Sequence, residues 1–265
     1  MNHFKIKTVK NYLYVINENI SLLHEVYTND PLNIYLILGT HKALLLDTGC
    51  GLFPLKVQIN QLIGDRDLLV FNTHYHWDHP LGNHEFEDVY IHETEVQFIS
   101  RPYDVSFFKE SPKELVNIYA KQNYLIPPAR KIHALNDGDE FDLGALKVKI
   151  IHCPGHSPGS ISILTSNGEL FTGDVAYYGD QFLPKKEEFD IVLKSLSKLI
   201  NLCKIHNIEE LYPSHRTYPC DRTLLTDLYV GIKNIETIWD TKKSHDFFNA
   251  WQIDDKKFRY FIAKN

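Results

Sequence analysis

Apolar and polar residues alternate along much of this chain in the pattern of β-strands. Between residues 4 and 27 the alternation comes in short stretches, as in antiparallel strands that bury one face. Residues 33–38 and 43–47 are apolar runs on either side of a Gly-Thr-His-Lys turn, and they predict a hairpin. Further strands are predicted at residues 68–71, 88–92, 146–150, 160–164, 169–172 and 211–215, and at residues 258–262 as an edge strand.

A helical spacing of apolar residues predicts three helices. The first follows residue 50 and has Phe53, Val57 and Ile63 among its apolar positions. The second covers residues 190–207, where one continuous apolar face indicates packing against the core. The third is long and amphipathic and runs from about residue 223 to 240.

The chemistry of the chain is concentrated in residues 73–79, Thr-His-Tyr-His-Trp-Asp-His. Four side chains that bind divalent metals, His74, His76, Asp78 and His79, follow the apolar strand 68–71 directly. If the strand geometry persists, His74 and His76 point the same way, while a turn brings Asp78 and His79 toward a second position. The chain has 14 histidines, but chance clustering does not explain this spacing at a strand end. The motif predicts a site for two metals.

The sequence H-x-H-x-D-H after an apolar strand resembles the signature of the metallo-β-lactamase-fold hydrolases. The further motifs of that family follow in its order: Asp47-Thr48-Gly49 before the signature, then His156 in a Pro- and Gly-rich turn, Asp174 after Gly173, and His215. The resemblance implies an α+β fold, the four-layer αββα sandwich. Without repeats or a linker, residues 1–265 are predicted to form a single domain of two similar β-then-α halves.

The resemblance also implies a ligand set. One metal would be bound by His74, His76 and His156, and a second by Asp78, His79 and His215. Asp174 would bridge the two, together with a water or hydroxide. The imidazole-rich, thiolate-free donors suit two Zn²⁺ ions, with Fe or Mn as alternatives at the second position.

Asp47 has two interpretations. By resemblance it lies behind the metals and orients a ligating imidazole. The alternative is an ordinary turn or cap residue.

The implied reaction is attack by a metal-bridging hydroxide on the carbonyl of a thioester, ester or lactone. Asp78 would also orient the nucleophile or relay its proton. Tyr177 has the spacing at which some lactone and thioester hydrolases of the fold contact the substrate, and its alternative role is packing. Asp174 stands where the best-known zinc β-lactamases have cysteine, so antibiotic hydrolysis is not expected. Among glyoxalase II-like, acyl-CoA thioesterase-like and lactonase-like members, the G-H-S-x-G-S and G-D-V-x-Y motifs most resemble the thioesterases.

Residues 95–130 are predicted to form a helical insertion that serves as a wall of the substrate site. Prolines interrupt this segment, and aromatic residues fill it: Phe98, Tyr103, Phe107, Phe108, Tyr119 and Tyr124. The alternatives are a packing insertion or a contact between the subunits of a homodimer.

Charge and composition narrow the function classes. The net charge is −6 and the cations are dispersed, so nucleic-acid binding is not expected, which disfavours a phosphodiesterase or nuclease of the same fold. A metal-binding protein without turnover is the other alternative. No apolar run approaches the ~20 residues of a membrane-spanning helix. Four scattered cysteines and the lack of an apolar signal segment at the N-terminus predict a cytoplasmic protein. The resemblance to the hydrolases implies a small-molecule substrate.

Overall fold

The computed structural model describes residues 4–264, and the chain separates into two compact units. The division lies between Ile150 and Ile151. Each unit has its own hydrophobic core and carries part of the predicted ligand set. That the whole chain behaves as one domain stays a prediction.

The first unit is built around a seven-stranded sheet in the order β1-β2-β3-β4-β5-β6-β9. Neighbouring strands are antiparallel from β1 to β4 and parallel from β4 to β9. A two-stranded ribbon, β7 with β8, and an antiparallel pair, β10 with β11, complete its strands among the described residues. The strands are β1 (Lys5–Lys10), β2 (Leu13–Glu18), β3 (Leu32–Leu38), β4 (Lys42–Leu46), β5 (Asp67–Phe71), β6 (Asp88–His92), β7 (Tyr103–Asp104), β8 (Leu125–Ile126), β9 (Lys131–Leu135), β10 (Glu140–Asp142) and β11 (Lys147–His152), the last of which crosses the division.

The predicted first strands and hairpin are confirmed, because β1 and β2 pair antiparallel and so do β3 and β4. Helix α1 (Leu55–Ile63) then connects β4 to the parallel strand β5. Leu55, Ile59 and Ile63 form its buried face at a spacing of four residues. The prediction for Val57 is wrong, since this side chain is 54% exposed. It lies two positions from Leu55 and therefore on the opposite side of the helix.

The segment 95–130 contains helical structure only as short pieces. Its helices are α2 (Val96–Ile99) and α3 (Asn117–Ala120), with 3₁₀ turns at Ser106–Glu110 and Glu114–Val116 between them. Of the two ribbon strands, β7 precedes these turns and β8 follows α3. Four prolines explain the interruption, because proline lacks an N–H donor and restricts the residue before it. The predicted helical insertion is therefore a series of short helices and turns and not a continuous helix.

The second unit contains two sheets and two longer helices among the described residues. One sheet has the neighbours β12-β13-β15-β16 and the other the order β14-β19-β18-β17. The strands are β12 (Ile161–Thr165), β13 (Leu170–Gly173), β14 (Gly179–Leu183), β15 (Glu210–Pro213), β16 (Cys220–Asp221), β17 (Lys243–His245), β18 (Ala250–Asp254) and β19 (Phe258–Ala263), and the helices are α4 (Phe189–His206) and α5 (Thr223–Asn234).

The predicted helix α4 is confirmed, with Val192, Leu196, Leu199 and Cys203 buried on one face. The third predicted helix is shorter than expected, because α5 ends at Asn234 and continues as a 3₁₀ turn over Ile235–Thr241.

The last strand is not at an edge as predicted. β19 lies between β14, with which it is parallel, and β18, with which it is antiparallel. Its residues Phe258, Tyr260 and Ile262 join the core of the second unit. The apolar sequence of β19 is thus explained by its position as a central strand.

Two further observations concern membrane spans and cysteines. No helix within residues 4–264 is long and apolar enough to cross a membrane. All four cysteines are buried thiols.

Candidate metal centre

The first group of candidate ligands lies in the loop that follows β5. The strand ends at Phe71, before the first predicted ligand, so the expected strand geometry does not persist to His74 and His76. A turn takes its place, closed by a bond from the main-chain N–H of His79 to the carbonyl of His76 (2.9 Å). The ring centroid of His74 lies 4.7 Å from that of His76 and 4.0 Å from that of His79.

The donor atoms of this loop are close enough to share metal ions. Those of His74 lie within 4.8 Å of those of His76 and His79. The distance from Asp78 Oδ2 to His79 Nε2 is 3.6 Å. Two ligand atoms bound to one tetrahedral Zn²⁺ at about 2.0–2.1 Å are roughly 3.4 Å apart. The Asp78–His79 spacing is therefore that of two ligands of one ion.

Asp47 lies behind this loop and fixes it. Its carboxylate accepts bonds from the N–H of Thr73 (2.7 Å) and the hydroxyl of Thr73 (2.9 Å). Its Oδ2 is also 2.8 Å from His79 Nδ1. The backbone of Asp47 has φ +67°, a left-handed conformation that Asp tolerates better than most residues. These contacts favour the orienting role over that of a simple turn residue, and the role itself stays a prediction.

Thr73 is a supporting residue that the sequence analysis missed. Its hydroxyl lies 3.0 Å from His74 Nδ1 and gives its only proton to Asp47. It therefore accepts from His74, which leaves the Nε2 of that imidazole for a metal. The signal was its position directly before the first histidine of the motif.

A second group of buried polar side chains forms a chain of hydrogen bonds that supports the loop of residues 73–79. The hydroxyl of Thr48 donates to Asn83 (2.8 Å), whose amide donates to Asn72 (2.8 Å), and all three residues are buried. Gly82 brings this part of the chain close to Thr48, since a Cβ there would lie 2.3 Å from the Thr48 carbonyl oxygen. Residue types alone gave no signal for Asn72 or Asn83.

A second group of candidate ligands lies in the second unit, at the ends of two parallel strands. Asp174 follows β13 and His215 follows β15, and the register pairs Gly173 with Pro213. Their carboxyl ends therefore meet, and Asp174 Oδ2 lies 3.3 Å from His215 Nε2. The same carboxylate oxygen is 3.6 Å from His156 Nε2. One carboxylate thus lies between two imidazoles, with both spacings close to those of ligands on a common ion.

His156 is held by the turn that contains it. Its Nδ1 donates to the carbonyl of Phe182 on β14 (3.2 Å), which leaves Nε2 on the side of Asp174. Gly155 has φ +145°, and a Cβ there would lie 2.9 Å from Val192 Cγ2 on α4. Glycine therefore allows the turn to approach the helix closely.

Tyr177 lies beside His215, with ring centroids 5.1 Å apart. The side chain is fully buried, and its hydroxyl donates to the main-chain carbonyl of Asp180. A bond from this hydroxyl to a substrate would have to replace the bond to Asp180. The contact with substrate stays a prediction.

Two buried titratable groups, the Glu18 carboxyl and the Cys50 thiol, interact electrostatically with Asp78 of the first ligand loop. Burial raises the pKa of Glu18 to about 7, although its Oε2 accepts a bond from the N–H of Cys50 (2.9 Å). Burial also raises the pKa of the Cys50 thiol well above its ordinary value, with Glu18 and Asp78 as further causes. Cys50 is accordingly a protonated thiol and not a nucleophile.

The donor chemistry of both clusters fits divalent metal ions. The Nδ1 atoms of His74, His79 and His156 are engaged by Thr73, Asp47 and Phe182, so their tautomers present Nε2 as donor. Both clusters combine imidazole with carboxylate and contain no thiolate, a set typical of zinc.

The comparisons with known proteins identify the class of this chain. A family model described as the metallo-beta-lactamase superfamily matches residues 27–228. The chain therefore belongs to the metallo-β-lactamase superfamily, and the predicted family and fold class are confirmed. This membership supports a hydrolase.

Individual relatives agree with this class. The chain is 31% identical over 200 residues to a chicken (Gallus gallus) protein named acyl-coenzyme A thioesterase MBLAC2, covering 69% of this chain and 72% of the relative. It is 32% identical over 190 residues to a "Probable metallo-hydrolase" of Methanocaldococcus jannaschii, covering 69% and 86%. The crystal structure of a metallo-beta-lactamase family protein from Thermus thermophilus matches with a TM-score of 0.66 at 18% identity, covering 91% and 88%. The last comparison shows the fold alone.

Proposed function

We propose that the two clusters form one dinuclear zinc centre. His74, His76 and His156 would hold one ion, Asp78, His79 and His215 the other, and Asp174 would bridge them. The observation that carries this proposal is the position of Asp174 Oδ2, within 3.6 Å of imidazole nitrogens from both proposed sets. Fe or Mn in place of zinc would suit the second, carboxylate-containing set.

The reaction that we propose is hydrolysis of a carboxylic thioester, with esters and lactones as related substrates. Two metal ions held here would lower the pKa of a water and polarise the substrate carbonyl. Asp78 would orient the attacking water and accept its proton. The name of the chicken relative favours an acyl-coenzyme A substrate. The buried, protonated Cys50 offers no competing nucleophile.

Thiol release from hexadecanoyl-coenzyme A by zinc-loaded protein tests this proposal, with Asp78→Ala as the inactive variant. Loss of the proposed ligand and proton acceptor should lower kcat/KM by about 100-fold or more. Asp88→Ala is the matched control, because Asp88 lies on β6 and is bonded to His133 outside both clusters (2.7 Å). Zinc content is measured on the same samples, and it should fall in Asp78→Ala only. Equal rates in wild type and Asp78→Ala would refute the hydrolase proposed here.

Tyr177→Phe separates the two roles of this tyrosine. If the hydroxyl contacts the substrate, turnover falls by about tenfold or more while the zinc content stays unchanged. An unchanged rate would make Tyr177 a packing residue that contacts His215.

A further inference from the structure

Aromatic side chains alternate with the proposed ligands in the first loop. Tyr75 lies between His74 and His76, and its ring centroid is 4.8 Å from that of His76. The Tyr75 ring also stacks on Phe98 of α2, with centroids 4.5 Å apart and planes inclined by 26°. A continuous path of ring contacts therefore runs from a proposed ligand to the segment 95–130.

A second path begins at Trp77, between His76 and Asp78. The Trp77 ring lies 4.9 Å from the rings of Tyr27 and Phe108 and 6.3 Å from that of Phe107. Phe107 also contacts Phe108, with centroids 4.5 Å apart. The segment 95–130 thus contacts both aromatic residues of the ligand loop.

Exposure separates four aromatic residues of this segment into two pairs. Phe108 and Tyr119 are fully buried and belong to the core. Phe98 and Phe107 are 37% and 43% exposed, although each contacts a loop aromatic residue on one side. Burial of a phenyl ring stabilises a fold, so core packing does not account for these two exposed rings.

We propose that Tyr75, Trp77, Phe98 and Phe107 form an acyl-binding surface, which contacts the hydrocarbon chain of the thioester. This inference rests on the proposed function and specifies its substrate class as medium- to long-chain acyl groups. The surface begins at the loop of proposed ligands, where the carbonyl would be attacked, and the acyl chain begins at the same carbonyl. The four rings carry no formal charge and offer large apolar faces, which suit methylene groups and not the polar coenzyme.

The dependence of kcat/KM on acyl length tests the acyl-binding surface. Contact with apolar rings favours each methylene by up to about fourfold. The ratio of kcat/KM for hexadecanoyl- to acetyl-coenzyme A should therefore be high in the wild type. It should fall by about tenfold in Phe98→Ala and in Phe107→Ala, because each removes one exposed ring.

Leu125→Ala is the matched control. Leu125 lies in the same segment and is 47% exposed, and it pairs with Asp104 in the ribbon β7–β8. The ratio of kcat/KM for hexadecanoyl- to acetyl-coenzyme A should be the same in Leu125→Ala as in the wild type. Ratios within twofold of the wild type in both phenylalanine variants would overturn the proposal, while metal-dependent hydrolysis by the same samples would leave the proposed function standing.

Binding of S-dodecyl coenzyme A, a thioether that cannot be hydrolysed, provides a readout independent of turnover. Isothermal titration calorimetry should give a Kd about tenfold higher in Phe98→Ala and Phe107→Ala than in the wild type and Leu125→Ala. Equal Kd values in all four proteins would overturn the acyl-binding surface even if hydrolysis is observed. If no acyl-coenzyme A is hydrolysed but the Kd values differ as expected, the proposed function fails and the surface stands.

Discussion

Asp47 is the residue on which the geometry of the first ligand loop depends most. A single carboxylate accepts from the main chain and side chain of Thr73 and is bonded to the imidazole of His79. All of these groups are buried, so each donor would lose its partner without gaining water if the carboxylate were removed. Asp47 therefore links the end of the β3–β4 hairpin to the orientation of a proposed ligand.

Asp47→Asn should weaken zinc binding by about 10- to 100-fold and lower the free energy of unfolding by about 1–3 kcal/mol. An amide has one acceptor oxygen, so it cannot serve Thr73 and His79 together. Competition with a chromophoric chelator measures the affinity, and urea unfolding of chelator-treated protein measures the stability. Asp88→Asn is the control, because its bond to His133 is about two-fifths exposed on both sides and contributes little. Wild-type zinc affinity in Asp47→Asn would contradict the orienting role.

Glu18 gives the first unit a pH-dependent stability. Its carboxyl has an ordinary pKa of 4.5 and a folded-state pKa of about 7, raised by burial. Between these pH values the folded state binds a proton that the unfolded state has lost, so the free energy of unfolding decreases as the pH rises. The total decrease from this group is about 3 kcal/mol.

Glu18→Gln should remove this decrease, because the amide does not titrate. In urea unfolding of chelator-treated protein, the variant should gain about 3 kcal/mol relative to the wild type between pH 4.5 and pH 8. Chelation keeps metal binding out of the measured free energy. A constant difference between the two proteins over this range would show that Glu18 titrates normally.

At the residue level, the sequence carries a clear signal for the proposed ligands but not for the residues that contact them. His74, His76, Asp78 and His79 stand in a dense motif whose spacing is specific to metal sites. Thr73, Asn72 and Asn83 have residue types that occur in any loop, and only the fold brings them beneath the ligands. Asp47 stands out by its loop, but only its contact with His79 favours the orienting role over that of a turn residue.

At the level of elements, most of the proposed ligands lie where strands end. The first loop follows β5, Asp174 follows β13 and His215 follows β15. Strands of this kind were predictable, because short apolar runs bounded by turn residues have a clear pattern. The central position of β19 was not, since pairing with β14 joins segments about 80 residues apart. The individual short helices and strands of the segment 95–130 were not predictable either, because its prolines interrupt every helical period.

Helix α4 offers a direct test of the packing of the second unit. Leu199 is fully buried on its core face, and Leu199→Ala should lower the free energy of unfolding by about 2–5 kcal/mol. Ile205 lies on the same helix and is 77% exposed, so Ile205→Ala should change it by less than about 0.5 kcal/mol. Urea unfolding of both variants measures the difference. Similar effects at the two positions would contradict the assigned core face.

At the level of the whole molecule, the chain belongs to one superfamily but separates into two compact units. The sequence predicted the family from five ordered motifs, and the match over residues 27–228 confirms it. The substrate was not predictable in the same way, because members of one fold keep the metal ligands and vary the surrounding surface. The exposed rings Phe98 and Phe107 are the part of that surface on which the substrate proposal depends.

The zinc content of single and double histidine variants tests the central claim most directly. His76 and His156 belong to different units but are proposed to bind the same ion, while the exposed His206 at the end of α4 serves as the control site. We expect about two zinc ions per chain in the wild type and in His206→Ala, and about one in His76→Ala, in His156→Ala and in the double variant, because one shared ion can be lost only once. A double variant that loses both ions while each single variant loses one, or a His156→Ala variant that keeps both, would contradict a centre shared by the two clusters.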